Sequence, residues 1–259
     1  MALFTDAQII TLNDLLPFEA SLVQVAAAHG INVDTKISLA TSFVAEKLFR
    51  LLQDTGMSDP QWLSRCVIGL STVVVTPPLQ RWLCFESLTR VFAEAYNVQL
   101  NTRFQGKWKE YQAETKYAAD QTIQAGLGIV FVPLPKPQMP EVSMQHGNSP
   151  AESIYVQTAW VDANGDESAL SPINGLVLNS QSTISVQMAE GANGAPPAAL
   201  GWNIYVGSVV SQITLQNGNP LITGSTWTLP STGIVNGPAG GNGQTPQYIV
   251  PVSRQIRRG

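Results

Sequence analysis

The sequence predicts an α+β chain of two parts, an N-terminal all-α helical bundle followed by a β-sandwich. Three observations carry that expectation. Apolar residues recur at steps of three and four through residues 1–125, the period of a helix with one buried face. Beyond residue 150, short runs of β-branched and aromatic residues alternate with polar ones and are separated by turn residues. Between these regions the composition changes abruptly. Residues 1–125 hold only four of the 21 glycines and four of the 17 prolines, and they carry ten basic and twelve acidic side chains. Residues 137–253 have no Lys or Arg and six acids, Glu141, Glu152, Asp162, Asp166, Glu167 and Glu190; the last six residues carry Arg254, Arg257 and Arg258. A shift this sharp marks a domain boundary. The expected division is a helical domain at 1–130, a Pro-rich connector at 131–150, a sandwich at 151–236, and a Gly/Pro linker with a C-terminal tail at 237–259.

Each element has a local reason. Thr5-Asp6 can cap a helix entering Ala7-Gln8-Ile9-Ile10. Pro17 can open a second helix, Phe18 to His29, which Gly30 would end. Asp34 or Thr35 can cap a third, with Ile37, Leu39, Ala40, Phe43, Val44, Leu48, Leu51 and Leu52 on its apolar side and Gly56 closing it. Asp59-Pro60 can open a fourth around Trp62 to Leu70. Pro77-Pro78 breaks the chain before a helix from Leu79, whose apolar positions are Leu79, Trp82, Leu83, Leu88, Val91, Phe92, Ala95 and Tyr96. A further helix carries Phe104, Trp108 and Tyr111 at i, i+4 and i+7. These aromatics read as core; the interleaved charge is mixed in sign, which argues against a stacking platform for nucleic acid.

The prolines 133, 135, 137 and 140 suggest an extended connector. Strands are expected at Ile154–Val161, Gly175–Leu178, Thr183–Met188, Trp202–Val206, Gln212–Gln216 and Ser225–Leu229. Asn164-Gly165 makes the hairpin turn after the first, and Asn217 to Pro220 makes another. Six or seven short strands over about 100 residues suggest an immunoglobulin- or fibronectin-III-like sandwich.

Composition also excludes functions. The 259 residues are 44% hydrophobic and 12% charged, which rules out a disordered chain. A formal net charge of −4 does not suit a basic nucleic-acid binder. No apolar run approaches the roughly 18 residues of a membrane span, and the Met1-Ala-Leu-Phe-Thr-Asp start does not read as a signal peptide. Cys66 and Cys84 read as small buried thiols of a reducing compartment, with a disulfide as the minority reading. His29 suits a helix end, and His146 lies in the Gly/Ser/Pro stretch; neither has Cys or acidic neighbours in a zinc-like spacing. No G-x-S-x-G nucleophile motif is present. Gly237 to Thr245 lacks the glycine spacing of a phosphate loop and has Gln244 where the lysine belongs. Asp162-x-Asn164-x-Asp166 resembles the start of a calcium loop but has Glu167 at the glycine position, so a turn is favoured over adventitious calcium. No catalytic, metal-binding or cofactor-binding residue is expected, and the chain is not expected to be an enzyme.

One resemblance adds to this reading. Leu79-Gln-Arg-Trp82 through Leu88, Phe92 and Tyr96, followed by Asn101-Thr-Arg103-Phe104-Gln105-Gly-Lys107-Trp108-Lys-Glu-Tyr111, resembles the helical core of head-to-tail adaptor proteins of tailed bacteriophages. Gly126-Leu-Gly-Ile-Val-Phe-Val-Pro133 is similar to the stretch leading out of that domain. Ala159 to Ser171 and Gly201-Trp202-Asn-Ile-Tyr205-Val-Gly207 resemble fibronectin-III-like modules of phage structural proteins. The likeness covers roughly residues 75–245.

That resemblance implies a structural virion protein at the neck, joining the portal to the tail. It implies a homo-oligomeric ring, typically a 12-mer, with the portal protein and a tail or nozzle protein as partners. Genomic DNA would pass through the channel without sequence-specific binding. The location would be the portal vertex of the virion, and the host cytoplasm during assembly; no cofactor and no membrane are involved. The C-terminal tail is then the expected portal-docking segment: Tyr248, Ile249, Val250 and Val252 would add to a partner edge, and Arg254, Ile256, Arg257 and Arg258 would follow, the arginines pairing with acids. The alternative is a capsid or tail decoration protein whose sandwich binds host glycans through Trp160, Trp202 and Trp227.

Overall fold

A computed structural model describes residues 2–6, 9–58, 69–99, 102–189, 194–241 and 243–250. The chain is an α+β mix, with helices in its N-terminal part and antiparallel sheets beyond. It divides into a helical unit, Ala7–Phe131 with Pro246–Gly259, and a β unit, Met1–Asp6 with Val132–Thr245.

The helical unit contains α1 (Leu12–Leu15), α2 (Leu22–His29), α3 (Val33–Ser58), α4 (Pro77–Gln99) and α5 (Gln105–Ala125). Gly30 ends α2 as expected. Other starts and stops differ from expectation. Residues 18–21 form turns, so α2 begins only at Leu22. The cap of α3 is Asn32, whose Oδ1 accepts the Thr35 N–H at 3.0 Å, and the helix runs through Gly56 to Ser58. Its buried stripe is Ile37, Ala40, Val44, Leu48 and Leu52, whereas Leu39 and Phe43 are 46% and 36% exposed. The helix expected around Trp62, like Cys66, lies outside the described residues. Pro77 begins α4 instead of breaking the chain before it, because a proline in the first turn forfeits no intrahelical bond. Nearly every side of α4 from Leu79 to Phe92 is buried, and it packs against α1, α2, α3 and α5. It is the central helix of the unit.

The helical unit also holds a small sheet. β1 (Leu127–Ile129) pairs antiparallel with β9 (Gln247–Ile249), Leu127 opposite Ile249 and Gly128 opposite Tyr248. On its other side Ile129 bridges to Val73, and the Val74 N–H donates to the Gly128 carbonyl at 2.9 Å. Within the stretch read as the lead-out from the helices, residues 127–129 therefore form a strand.

Among the described residues the β unit has seven strands: β2 (Glu141–Ser149), β3 (Ser153–Val161), β4 (Asn174–Val177), β5 (Ser182–Gln187), β6 (Gly201–Gly207), β7 (Thr214–Leu215) and β8 (Thr226–Thr228). They form two antiparallel sheets, in orders β2-β5-β8 and β4-β3-β6-β7. Ile154, Val156, Trp160, Trp202, Ile204 and Val206 of one sheet share a core with Ile184, Val186 and Trp227 of the other. Asn164-Gly165 sits in the expected turn, where the Asp162 Oδ1 accepts the N–H groups of Asn164 and Asp166 at 2.8 and 2.9 Å.

Three expectations need correction here. The segment 131–150 is not a connector: Leu134 is fully buried in the core, and residues 141–149 form β2. Residues 237–243 are not a detached linker, since the Leu215 N–H donates to the Pro238 carbonyl at 2.9 Å and Ala239 bridges Thr214. A Cβ on Gly240 would meet the Tyr205 ring at 2.6 Å, so this glycine serves close packing. Thr5-Asp6 does not cap a helix: the Asp6 carboxylate accepts the N–H groups of Leu3 and Lys136, at 2.7 and 2.8 Å. Those bonds tie the first residues into the β unit.

Gln244 closes this unit. Its side chain accepts the Leu134 N–H at 2.7 Å and donates to the Val132 carbonyl at 2.9 Å, and the residue is 4% exposed. Gln244→Ala would orphan a buried donor and acceptor, so it should lower the unfolding free energy by about 1–3 kcal/mol in urea titration. Gln244→Glu, which cannot donate when ionised, should lose a similar amount.

Candidate functional site

The adaptor-like aromatic motif becomes the joint between α4 and α5. Trp82, Leu88 and Phe92 on α4 are buried, as are Phe104 and Tyr111 beside and on α5. Phe92 lies 5.2 Å from the Tyr111 ring and 6.1 Å from Phe104. Tyr96 and Trp108 are half-buried and stack at 5.5 Å with their planes 22° apart. The His29 ring meets Phe104 edge-on at 5.1 Å. Phe92 with Phe104 and Tyr111, and Tyr96 with Trp108, thus hold α4 against α5 and the turn before it.

One carboxylate anchors that joint. Glu19, in the turn before α2, is 9% exposed. It accepts the Tyr111 hydroxyl at 2.8 Å and the Ser21 hydroxyl at 2.6 Å, and the Lys107 ammonium lies at 3.2 Å. Burial alone would raise its pKa, but the hydrogen bonds from Ser21, Tyr111 and Lys107 outweigh it and hold the carboxyl down to about 2. Burial and the Glu19 charge push the Tyr111 phenol up, and the same contact raises Lys107. Nothing in the sequence flags Glu19, because Tyr111 and Lys107 lie about 90 residues away.

A concavity of about 650 Å³ opens where α3, α4 and α5 meet, lined by Phe43, Lys47, Trp82, Thr89, Lys116 and Ile123 among others. The Lys47 ammonium lies 4.5 Å from the Phe43 ring centre. The Trp82 indole N–H, fully buried, has no acceptor among the described residues. The lining of the concavity mixes apolar side chains with charges of both signs, Lys47, Arg50 and Lys116 beside Glu86 and Asp120.

The tail divides in two. Tyr248 and Ile249 belong to β9 and pair with this chain's own β1, so they are not a free strand awaiting a partner. Tyr248 remains 56% exposed and Val250 55%. Val252, Arg254, Ile256, Arg257 and Arg258 lie outside the described residues.

His146 lies on β2 and is exposed. Among the described residues, no three His, Cys, Asp or Glu side chains gather as a metal site, and no helix is long and apolar enough to cross a membrane. Cys84 is buried, and burial foremost pushes its thiol up to about 12, which leaves it protonated and unreactive. Glu167 accepts hydrogen bonds from the Tyr205 hydroxyl and from Asn203, a contact that joins β6 to the turn after β3. No protein-family model matches the chain, and no curated protein resembles it closely enough to count as a relative.

Because the Glu19 pKa is lower folded than unfolded, its contribution is present above pH 4.5 and is lost as pH falls toward 2. Glu19→Gln should destabilise the chain at pH 7 by about 1–3 kcal/mol, since charged hydrogen bonds become neutral ones. Over pH 4.5 to 2 the variant should lose less stability than the parent, as read by urea unfolding at each pH.

Proposed function

We propose that this chain is a structural protein of a tailed-phage virion, forming a ring that joins the portal to the tail and leaves a channel for DNA. The observation that carries the reading is the α4–α5 hairpin, whose aromatic joint uses the residues that resemble the adaptor motif. A second feature supports assembly. Phe18, Leu39, Phe43, Phe49 and Tyr117 of the helical unit are each more than a third exposed, in a chain only 12% charged. Apolar side chains left in water on such a surface favour burial against neighbouring subunits. The partners of this reading are further copies of the chain, the portal protein, and a tail or nozzle protein; DNA passes without sequence readout. The neck of the virion is its location.

The β unit fits the immunoglobulin- or fibronectin-III-like reading in its four-stranded sheet. Two hairpins, β3-β4 and β6-β7, lie side by side in the order β4-β3-β6-β7, with β2-β5 in the facing sheet. That order supports the reading, because it follows the C′-C-F-G and B-E strand order expected of such sandwiches. The departure is β8, which takes the free side of β5. The decoration alternative would need aromatic side chains presented to a glycan, whereas Trp160, Trp202 and Trp227 are 3%, 0% and 8% exposed in the core.

Mixing the purified chain with the portal ring of the same genome should add about twelve chain masses of 27.8 kDa in mass photometry. No gain in mass at moderate salt would overturn the reading. Since β9 is part of the fold, the docking test is deletion of residues 250–259 alone. That truncation should abolish portal binding and leave the far-ultraviolet spectrum unchanged.

A further inference from the structure

The concavity where α3, α4 and α5 meet holds a donor with nothing to bond. Trp82 lines it from α4 and is 1% exposed, and its indole N–H has no acceptor among the described residues. A buried donor left unpaired is costly, and native proteins keep few of them. The neighbouring cation is unmatched as well. The Lys47 ammonium lies 4.5 Å from the Phe43 ring centre and 5.9 Å from that of Trp82. Among the described residues no carboxylate comes within ion-pair distance of Lys47, or of Lys116 on the α5 side. The acids of the site are occupied or peripheral: Glu86 receives the Arg90 guanidinium at 2.8 Å, and Asp120 is exposed.

We propose that this concavity binds an amphiphilic carboxylate, a single acid group on an unbranched apolar chain. One carboxylate oxygen accepts the Trp82 N–H, and the other pairs with Lys47. Two such bonds of about 2.8 Å, one on each oxygen, bridge the 5.9 Å between the ammonium and the Trp82 ring centre. Lys47 is exposed and lies over the indole, so its flexible stem yields to the acceptor as the ammonium turns to the second oxygen. The apolar chain lies along Phe43, Leu51 and Ile123, and a volume of about 650 Å³ is in the range of ligand pockets. The charge pattern selects the head. A cation is repelled by Lys47, Arg50 and Lys116, and a neutral head leaves Lys47 unmatched. Glu86 and Asp120 beside those cations disfavour a head of higher negative charge. The proposal does not rest on the neck reading, since every residue it uses lies within the helical unit.

Decanoate is the probe, titrated into the full chain by calorimetry at neutral pH and below its micelle concentration. Binding at one site per chain is expected, with a dissociation constant of about 0.1 mM or tighter. From hexanoate to decanoate, each added methylene should tighten binding about fourfold. Decanol, which brings no charge, should bind roughly tenfold more weakly than decanoate. Lys47→Gln, at an exposed position, should weaken decanoate about tenfold and leave decanol unchanged. Trp82→Phe keeps a ring and removes the donor, so it should also weaken decanoate about tenfold. In the parent chain, the indole N–H resonance that Trp82→Phe deletes should shift in step with the heat of binding. Absence of decanoate binding would overturn the proposal, as would decanol binding equally tightly. Unchanged affinity in Lys47→Gln would overturn it too, whether or not Trp82→Phe folds.

Discussion

Residues 127–129 and 247–249 pair across more than a hundred intervening residues, and much of the chain's organisation depends on how that pairing is closed. Bringing together the ends of a flexible loop of that length costs about 4 kcal/mol beyond a constant term. Three strand pairs, each contributing about 0.5–1.5 kcal/mol per hydrogen bond, barely offset it. The β unit changes the balance. Once it has folded, Gln244 is bonded to Val132 and Leu134, so the two ends of the inserted segment are already neighbours. The loop that β9 must close then shrinks to a few residues at either side.

The low charge content shapes the interior in a consistent way. Buried polar side chains, each with several partners, tie separate segments together. Glu19 joins the turn before α2 to α5 through Tyr111 and Lys107. Ser168 and Ser171 each return a hydroxyl to β3, accepting the N–H groups of Trp160 and Thr158 at 3.0 and 2.9 Å. A buried group with all its bonds made specifies one arrangement, and leaving one bond unmade is costly. Such a chain can leave its surface apolar for assembly while its core stays uniquely packed.

The sequence made some elements readable and hid others, for identifiable reasons. The stripe Ile37, Ala40, Val44, Leu48 and Leu52 follows helical spacing because one face is buried; Leu39 and Phe43 also fit the pattern but stand outside. The strands around Ile154 and Trp202 were readable because their residues alternate and are β-branched or aromatic. β2 escaped because Glu141–Ser149 lies on an edge, mostly exposed along its length, with prolines before it and no apolar alternation. The glycines near residue 240 suggest flexibility in one dimension but serve close approach to Tyr205 in three. For the candidate sites, the aromatic positions were visible as core, while Glu19 and the seat of β9 depend on contacts between distant residues, which periodicity cannot carry.

The most direct measurement of this organisation is amide hydrogen exchange on the full chain, followed by mass spectrometry, with and without Gly128→Val, whose side chain would meet Thr76 and Pro246. Peptides covering residues 127–130 and 247–249 should be protected together in the parent chain, and both should lose protection in the variant while peptides from β3 and β6 keep theirs. Exchange of residues 247–249 at the rate of an unstructured peptide in the parent chain would contradict the account.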